Sequence, residues 1–170
     1  MLRSLHGVWD EDAVDELDHA LQAAAMAVDA GADDELVLAA ALHDLAHSPL
    51  FGDVAAERHD RVAQDWLTPR FGERVGWLAG AHVAAKRYLV ATDPDYATTL
   101  SAVSVDSLDH QGGARVDPEF VGHPWWPDAL RLRRYDDAAK DPCGDAASID
   151  DVLAIAERVL AQRSSPRPCR

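Results

Sequence analysis

The stretch that decides the fold is "DDELVLAAALHDLAH", residues 33–47. Asp33 or Asp34 can cap the start of a helix, because an aspartate side chain accepts hydrogen bonds from the free N–H groups of the first turn. An apolar run follows, and Ser48-Pro49 ends the pattern, since proline disfavours helix at the residue before it. We therefore predict a helix over residues 33–47, with His43 and His47 one turn apart on the same face.

Helical patterns continue on both sides of this segment. Further helices are predicted over about 12–30, with Asp10 or Asp12 as cap, from 54 to near Pro69, and over 72–93. Two short helices are expected within 93–124, before a Gly-Gly turn. The last two helices run from Pro127 to before Pro142 and from a Ser148/Asp151 capping box onward. No alternating β-branched run is long enough for a sheet. The prediction is an all-α, single-domain helical bundle over residues 1–163, with a disordered tail over 164–170.

Composition narrows the class of protein. The chain has 170 residues, which suits one domain, and its 48% hydrophobic residues are rich in the helix former alanine. The net charge of −14 disfavours non-specific binding to nucleic acid or to anionic membranes. The sequence shows no signal peptide, no apolar run long enough to span a bilayer and no disulfide framework, so we expect a cytoplasmic protein.

Four histidines fall in four different predicted helices: His19, His43, His59 and His82. The surroundings of His19, His43 and His82 are apolar. A single histidine of this kind is more often a hydrogen-bonded core residue than a metal ligand, because an unpartnered imidazole is costly to bury. Four of them, with Asp44 adjacent to one, indicate a metal site instead. Imidazole and carboxylate groups suit iron, zinc or manganese, and the Asp44 carboxylate could bridge two ions.

Two neighbouring features have more than one interpretation. His47 is a metal ligand, a polar neighbour of the ligands, or an exposed histidine at a helix end. Arg133 and Asp136 are three residues apart and share a helix face. They form either an inward-facing pair, with Asp136 on a metal and Arg133 on an anion, or a surface salt bridge.

Lys86 follows His82 by one helical turn. A lysine directed into a metal pocket is unusual unless an anionic substrate meets it. Together with Arg133 and the hydroxyl groups of Ser104 and Ser107, it would form an anion cradle that suits phosphate or phosphonate.

The order His…His-Asp…His…His…Asp resembles the HD-domain superfamily, whose members are mostly metal-dependent phosphohydrolases. The stretches "HALQAA", "LAAALHDLAH", "HVAAKRYL", "SLDHQGG" and "LRRYDDAAK" are similar to one branch, the HD-domain mixed-valent diiron oxygenases. Within it, the resemblance is closest to the enzymes that act on 2-amino-1-hydroxyethylphosphonate. It covers roughly residues 9 to 142 and implies an HD-domain helical bundle.

The resemblance also implies roles for individual residues. A Fe(II)/Fe(III) pair would be held by His19, His43, Asp44, His59, His82 and Asp136. The phosphonate would be held by Lys86, Ser104, Ser107 and Arg133, with His47 near the substrate and Gln111 in the pocket wall. Among these, His47, Lys86 and Arg133 are predicted to act in catalysis.

The N-terminal segment departs from the family pattern. Trp9 and Asp12 stand where the resembled enzymes carry a tyrosine and a glutamate that recognise the substrate amine, with Glu11 as a near neighbour. An indole face with carboxylates suits a methylated ammonium. Alternatively, Trp9 is a hydrophobic staple for the first helix.

The predicted function is oxygen-dependent cleavage of the C–P bond of a small α-hydroxyphosphonate, such as 2-amino-1-hydroxyethylphosphonate or an N-methylated relative. The products would be phosphate and a carboxylic acid such as glycine. The expected partners are this small anionic organophosphonate and O2, with no nucleic acid and no membrane, and the protein would be a monomer or homodimer. The alternatives are a metal-dependent phosphohydrolase acting on a small phosphoester and a non-catalytic metal-binding or ligand-sensing module.

Overall fold

The computed structural model describes residues 1–9 and 13–164, and the secondary structure of these residues is helical with no strand. The helices are α1 (Glu16–Asp29), α2 (Asp34–Leu42), α3 (His59–Phe71), α4 (Glu73–Thr92), α5 (Pro94–Ala97), α6 (Ala102–His110), α7 (Pro118–Val121), α8 (Trp126–Ala138) and α9 (Ile149–Ser164). Short 3₁₀ segments span Leu2–Leu5, Leu45–His47, Pro49–Phe51 and Ala56–Arg58. The all-α prediction is confirmed. Among the described residues, every helix is too short or too polar to cross a membrane.

The helix ends test the predicted caps. Asp33 caps α2 by accepting the Leu36 N–H at 3.0 Å, and Ser148 and Asp151 form the predicted capping box, with reciprocal backbone-to-side-chain bonds of 3.0 and 3.1 Å. The predicted cap of α1 is wrong, because Asp15 takes that position and its side chain accepts two backbone N–H groups. The predicted cap residues, Asp10 and Asp12, lie outside the described residues.

Three other boundaries also differ from prediction. The helix at 33–47 stops at Leu42, since Asp44 leaves helical geometry (φ −99°, ψ 18°) and a 3₁₀ turn continues to His47. Helix α3 passes through Pro69, which lies in its last turn and removes only one backbone donor there. Ser164, predicted to belong to the tail, is the last residue of α9, and residues 165–170 of the predicted tail lie outside the described part of the chain.

Helices α2 and α4 form the centre of the bundle. Helix α2 packs against α1, α4, α8 and α9, while α4 packs against α2, α3 and α8. Leu36 and Leu38 of α2 and Leu78 of α4 are fully buried, and burial of such side chains is the main favourable term in folding. This arrangement directs one histidine from each of α1, α3 and α4, and the end of α2, toward a common interior.

Arg74 connects three helix ends on the side away from these histidines. Its guanidinium donates to Asp33 at 2.7 Å, Glu35 at 3.0 Å and Asp128 at 2.8 Å. The network therefore joins the starts of α2, α4 and α8 through one side chain.

Two glycines allow α3 and α4 to approach closely. A Cβ atom on Gly76 would lie 2.1 Å from Thr68 Oγ1 and 3.0 Å from Thr68 Cα. A Cβ atom on Gly80 would lie 2.2 Å from Gln64 Oε1. The two helices are thus in near backbone contact, which brings His59 at the start of α3 beside His82 in the middle of α4.

Replacing Gly76 with alanine is expected to destabilise the protein by about 1–2 kcal/mol. Overpacking against the Thr68 backbone should cost about 2–3 kcal/mol, the upper end of the usual range, and improved helix propensity returns about 1 kcal/mol. The melting temperature should fall by about 3–6 °C. Differential scanning calorimetry would measure this. Gly80→Ala is the matched control and should cost less, since its closest obstacle is the flexible end of Gln64. A Gly76→Ala protein as stable as the parent would contradict the expectation.

Candidate metal centre and anion cavity

Four imidazoles and two carboxylates converge in the interior of the bundle. His43 Nε2 lies 3.0 Å from Asp44 Oδ2 and 3.4 Å from Asp136 Oδ2. His19 Nε2 lies 3.6 Å from a carboxylate oxygen of each aspartate. The potential ligand atoms of these four residues all lie within 4.8 Å of one another, so they could hold one metal ion.

The second half of the cluster uses the other oxygen of Asp44. His59 Nε2 and His82 Nε2 each lie 3.4 Å from Asp44 Oδ1 and are 2.9 Å apart. His47 Nε2 is 3.8 Å from the same oxygen. Asp44 therefore lies between two groups of imidazoles, and the six residues predicted as metal ligands are brought together.

Backbone carbonyl groups orient three of the rings. The Nδ1 atoms of His19, His43 and His82 lie 2.9, 2.9 and 2.6 Å from the carbonyl oxygens of Ala139, Ala40 and Ala79. A carbonyl oxygen only accepts hydrogen bonds, so each Nδ1 carries the proton and each Nε2 presents a lone pair to the centre. This is the tautomer that a metal ion requires.

The donor set fits a cation on two grounds. When both rings are neutral, as metal binding requires, the lone pairs of His19 and His43 face each other at 3.4 Å beside two carboxylates. In addition, Asp44 Oδ1 is buried and has no hydrogen-bond partner within the part of the chain that the structure describes. Acceptors crowded in this way repel one another unless a positive charge is shared among them. A metal cofactor is therefore the chemistry that the cluster suits.

The electrostatics of the protein without metal agree with this conclusion. Burial opposes protonation of His43, but the negative charges of Asp44 and Asp136 outweigh it and raise the pKa of His43 well above its usual range. Burial likewise disfavours ionisation of Asp136, yet the Arg133 guanidinium and His43 hold the pKa of that carboxyl well below its usual range. The centre thus attracts a cation.

Of the two interpretations of Arg133 and Asp136, an inward-facing pair or a surface salt bridge, the structure shows the inward-facing pair. Both are buried, at 4% exposure each, so this is not a surface salt bridge. Arg133 Nη1 donates to Asp136 Oδ2 at 2.6 Å. The other donors of Arg133 meet Asp137 and the Tyr96 hydroxyl, which is 3.0 Å from Nε. The guanidinium is therefore fixed at the boundary between the metal centre and the adjacent cavity.

A cavity of about 300 Å³ opens onto the metal centre. Its lining contains six of the eight residues predicted to bind substrate: His47, Lys86, Ser104, Ser107, Gln111 and Arg133. Lys86 Nζ donates to Ser107 Oγ at 2.8 Å. Burial, followed by the positive charge of Arg133, lowers the pKa of the Lys86 ammonium to about 8.

The residues predicted to bind substrate differ in part from the residues that line the cavity. Trp9 is 63% exposed, and among residues 1–9 and 13–164 it neither lines this cavity nor packs against the hydrophobic core. Asp12 and Glu11 lie outside the described residues. Conversely, Lys140 lines the cavity and donates to Ser104 Oγ at 3.1 Å. Its position one helical turn after Asp136 was the available signal. Val103, Asp106 and His110 also line the cavity and carried no signal in the sequence.

Comparison with known proteins decides the family. The chain is 39% identical over 142 residues to a hydroxymethylphosphonate dioxygenase of Gimesia maris, an alignment that covers 76% of this chain and 70% of that protein. It belongs to the phosphonate dioxygenase family. A glycine-betaine-forming [1-hydroxy-2-(trimethylamino)ethyl]phosphonate dioxygenase of Leisingera caerulea is 35% identical, with 72% of this chain and 67% of the relative aligned.

The name of a third relative states no activity. An uncharacterized protein of Acanthamoeba polyphaga mimivirus is 33% identical over 74% of this chain and 62% of its own length. No protein-family model matches the chain. The family assignment confirms the resemblance drawn from "HVAAKRYL" and "LRRYDDAAK", which carry His82, Lys86, Arg133 and Asp136.

Proposed function

We propose that the protein is an iron-dependent oxygenase that uses O2 to cleave the C–P bond of a small α-hydroxyphosphonate. The products are phosphate and a carboxylic acid, which is glycine if the substrate is 2-amino-1-hydroxyethylphosphonate. The observation that carries this proposal is the juxtaposition of a histidine and carboxylate centre with a cavity containing Lys86, Arg133 and Lys140. The names of two relatives support the same chemistry.

The proposed cofactor is a pair of iron ions, Fe(II)/Fe(III). His19, His43 and Asp136 would hold one ion, His59 and His82 the other, and Asp44 would be shared. When bound, the irons supply Lewis acidity toward the substrate oxygens and a site at which O2 is reduced.

The cavity residues bind and orient the substrate. Lys86 and Lys140 donate to the Ser107 and Ser104 hydroxyls, and a phosphonate oxygen between them would replace or share these bonds. Binding at this end directs the carbon that bears the hydroxyl group toward the metal centre. The same ammonium groups, with Arg133, stabilise the negative charge that develops on phosphate as the C–P bond breaks.

The substrate assay uses protein loaded with iron anaerobically and then mixed with air-saturated buffer. Hydroxymethylphosphonate, 2-amino-1-hydroxyethylphosphonate and its trimethylated form are each tested for oxygen uptake and phosphate release. We expect equimolar consumption of O2 and release of phosphate with at least one of them. Hydrolysis of a phosphoester under nitrogen, without turnover of any phosphonate, would instead show a phosphohydrolase. Absence of bound iron and of any turnover would show a non-catalytic protein.

The pKa of Lys86 predicts an alkaline limit to activity. The Lys86 side chain attracts an anion only in its protonated, ammonium form. The pH dependence of kcat/KM reports the ionisation of groups in the free enzyme. With a pKa of about 8, kcat/KM should be level below that pH, fall about fivefold between pH 8 and pH 9, and then fall tenfold per pH unit. The pH profile of kcat/KM measures this. This fall of kcat/KM above pH 8 should be absent from Lys86→Met. A fall that persists in that variant would assign the ionisation to another group.

A further inference from the structure

Helix α1 carries a second buried polar side chain one turn after His19. Gln22 is 3% exposed and does not line the anion cavity. Its amide Nε2 donates to the Asp141 carbonyl oxygen at 2.8 Å, and its Oε1 accepts the Asp141 N–H at 3.2 Å. One side chain therefore satisfies both backbone groups of a residue that lies beyond the end of α8.

The segment that Gln22 holds, residues 139–141, contributes to both the metal centre and the anion cavity. Ala139, the first residue after α8, has ψ 46° and is fully buried, and its carbonyl oxygen accepts the His19 Nδ1–H at 2.9 Å. The next residue, Lys140, reaches the cavity and donates to Ser104 Oγ. Residues 139 to 141 thus orient a metal ligand, supply a cavity cation and bind Gln22, in that order.

The pair of hydrogen bonds between Gln22 and Asp141, called the clamp from here on, is closely packed. Asp141 O also accepts the Gly144 N–H at 2.9 Å, so the segment turns back at this point. A Cβ atom on Gly144 would lie 3.0 Å from Gln22 Oε1. The turn therefore closes directly over the Gln22 amide, which leaves little room for water to replace it.

We propose that Gln22 is a positioning residue: its two hydrogen bonds to Asp141 fix residues 139–141, so that Ala139 orients His19 toward the metal and Lys140 faces the substrate. His19 and Gln22 lie on the same face of α1 and hold the segment at two points. The part concerning Lys140 rests on the proposed function, whereas the part concerning His19 concerns metal binding alone. Groups of this kind behind metal ligands typically change metal affinity by about 10- to 100-fold.

The test compares Gln22→Met, which keeps the volume but makes neither hydrogen bond, with Arg74→Met. The latter removes a polar network of comparable extent that is remote from the site. Measurements are the melting temperature, the iron remaining after dialysis against a chelator of graded concentration, and KM and kcat for the phosphonate that the parent protein turns over. We expect Gln22→Met to lose iron at a chelator concentration about 10- to 100-fold lower than the parent protein requires, and its KM to rise about tenfold. Arg74→Met should keep its iron and its KM despite a lower melting temperature.

Two results would overturn the proposal. One is parent-like iron retention and KM in Gln22→Met. The other is loss of iron in both variants in proportion to their melting temperatures, which would make the role of Gln22 purely structural. If Gln22→Met does not fold, Gln22→Glu replaces it: a carboxylate accepts the Asp141 N–H but cannot donate to its carbonyl oxygen, and should show the same loss of iron. If the parent protein turns over no phosphonate, the proposed function fails, while iron retention still tests the clamp.

Discussion

Replacing Asp44 with asparagine is expected to abolish oxygen-dependent turnover, with a loss of at least about 10³-fold, because the metal supplies the reaction chemistry. Asparagine keeps the size of the side chain but removes the negative charge that lies within 3.8 Å of His43, His47 and His59. Both halves of the metal centre use this carboxylate, so iron should be lost from both. Oxygen uptake and iron per chain would be measured on protein reconstituted under nitrogen.

Asp137→Asn is the control for this change. Asp137 belongs to the same polar network, but its carboxylate meets Arg133 and Tyr96 and no imidazole. This variant should keep the iron of the parent protein and lose substrate affinity through Arg133. Retention of both irons and of activity by Asp44→Asn would refute the shared role of Asp44.

Replacing Lys86 with methionine is expected to lower kcat/KM about 10²- to 10³-fold. The change removes a buried ammonium from the anion cavity, and loss of one preorganised donor to a developing negative charge costs about 10²- to 10³-fold. Methionine preserves the apolar part of the side chain. Iron content should remain unchanged, because Lys86 is not among the metal ligands. Steady-state oxygen consumption over a range of phosphonate concentrations would measure the effect.

Arg131→Met removes the same charge outside the cavity, where Arg131 pairs with Asp128 at 3.2 Å. Its kcat/KM should stay within about threefold of the parent value, since an exposed ion pair contributes little. Equal losses in the two variants would attribute the effect to net charge. Unchanged kcat/KM in Lys86→Met would remove Lys86 from the substrate site.

The metal centre could be predicted from sequence because its residues lie within recognisable helical motifs. His19, His43 and His82 each stand in an apolar pattern, and burial follows from that pattern. The break at Asp44 could not be predicted in this way. The segment from His43 to His47 has no residue that ends a helix, and its tighter turn is set by packing around the centre, which overrides local propensity.

The anion cavity was predictable only in part. Lys86, Ser104 and Ser107 were identified as a set because a lysine beside metal ligands needs an anion. Lys140 was not, because it lies past the end of α8 and its direction depends on the clamp formed by Gln22 and Asp141. That contact joins residues 119 positions apart in the chain, and no local pattern encodes such a contact.

The candidate metal centre brings together residues from distant parts of the sequence, from His19 in α1 to Asp136 in α8. A cation bound there acts as a cross-link between chain segments that are distant in sequence, and it favours the native state over the unfolded one by mass action. If the proposed irons occupy this centre, their supply would govern how much folded protein persists as well as how much is active.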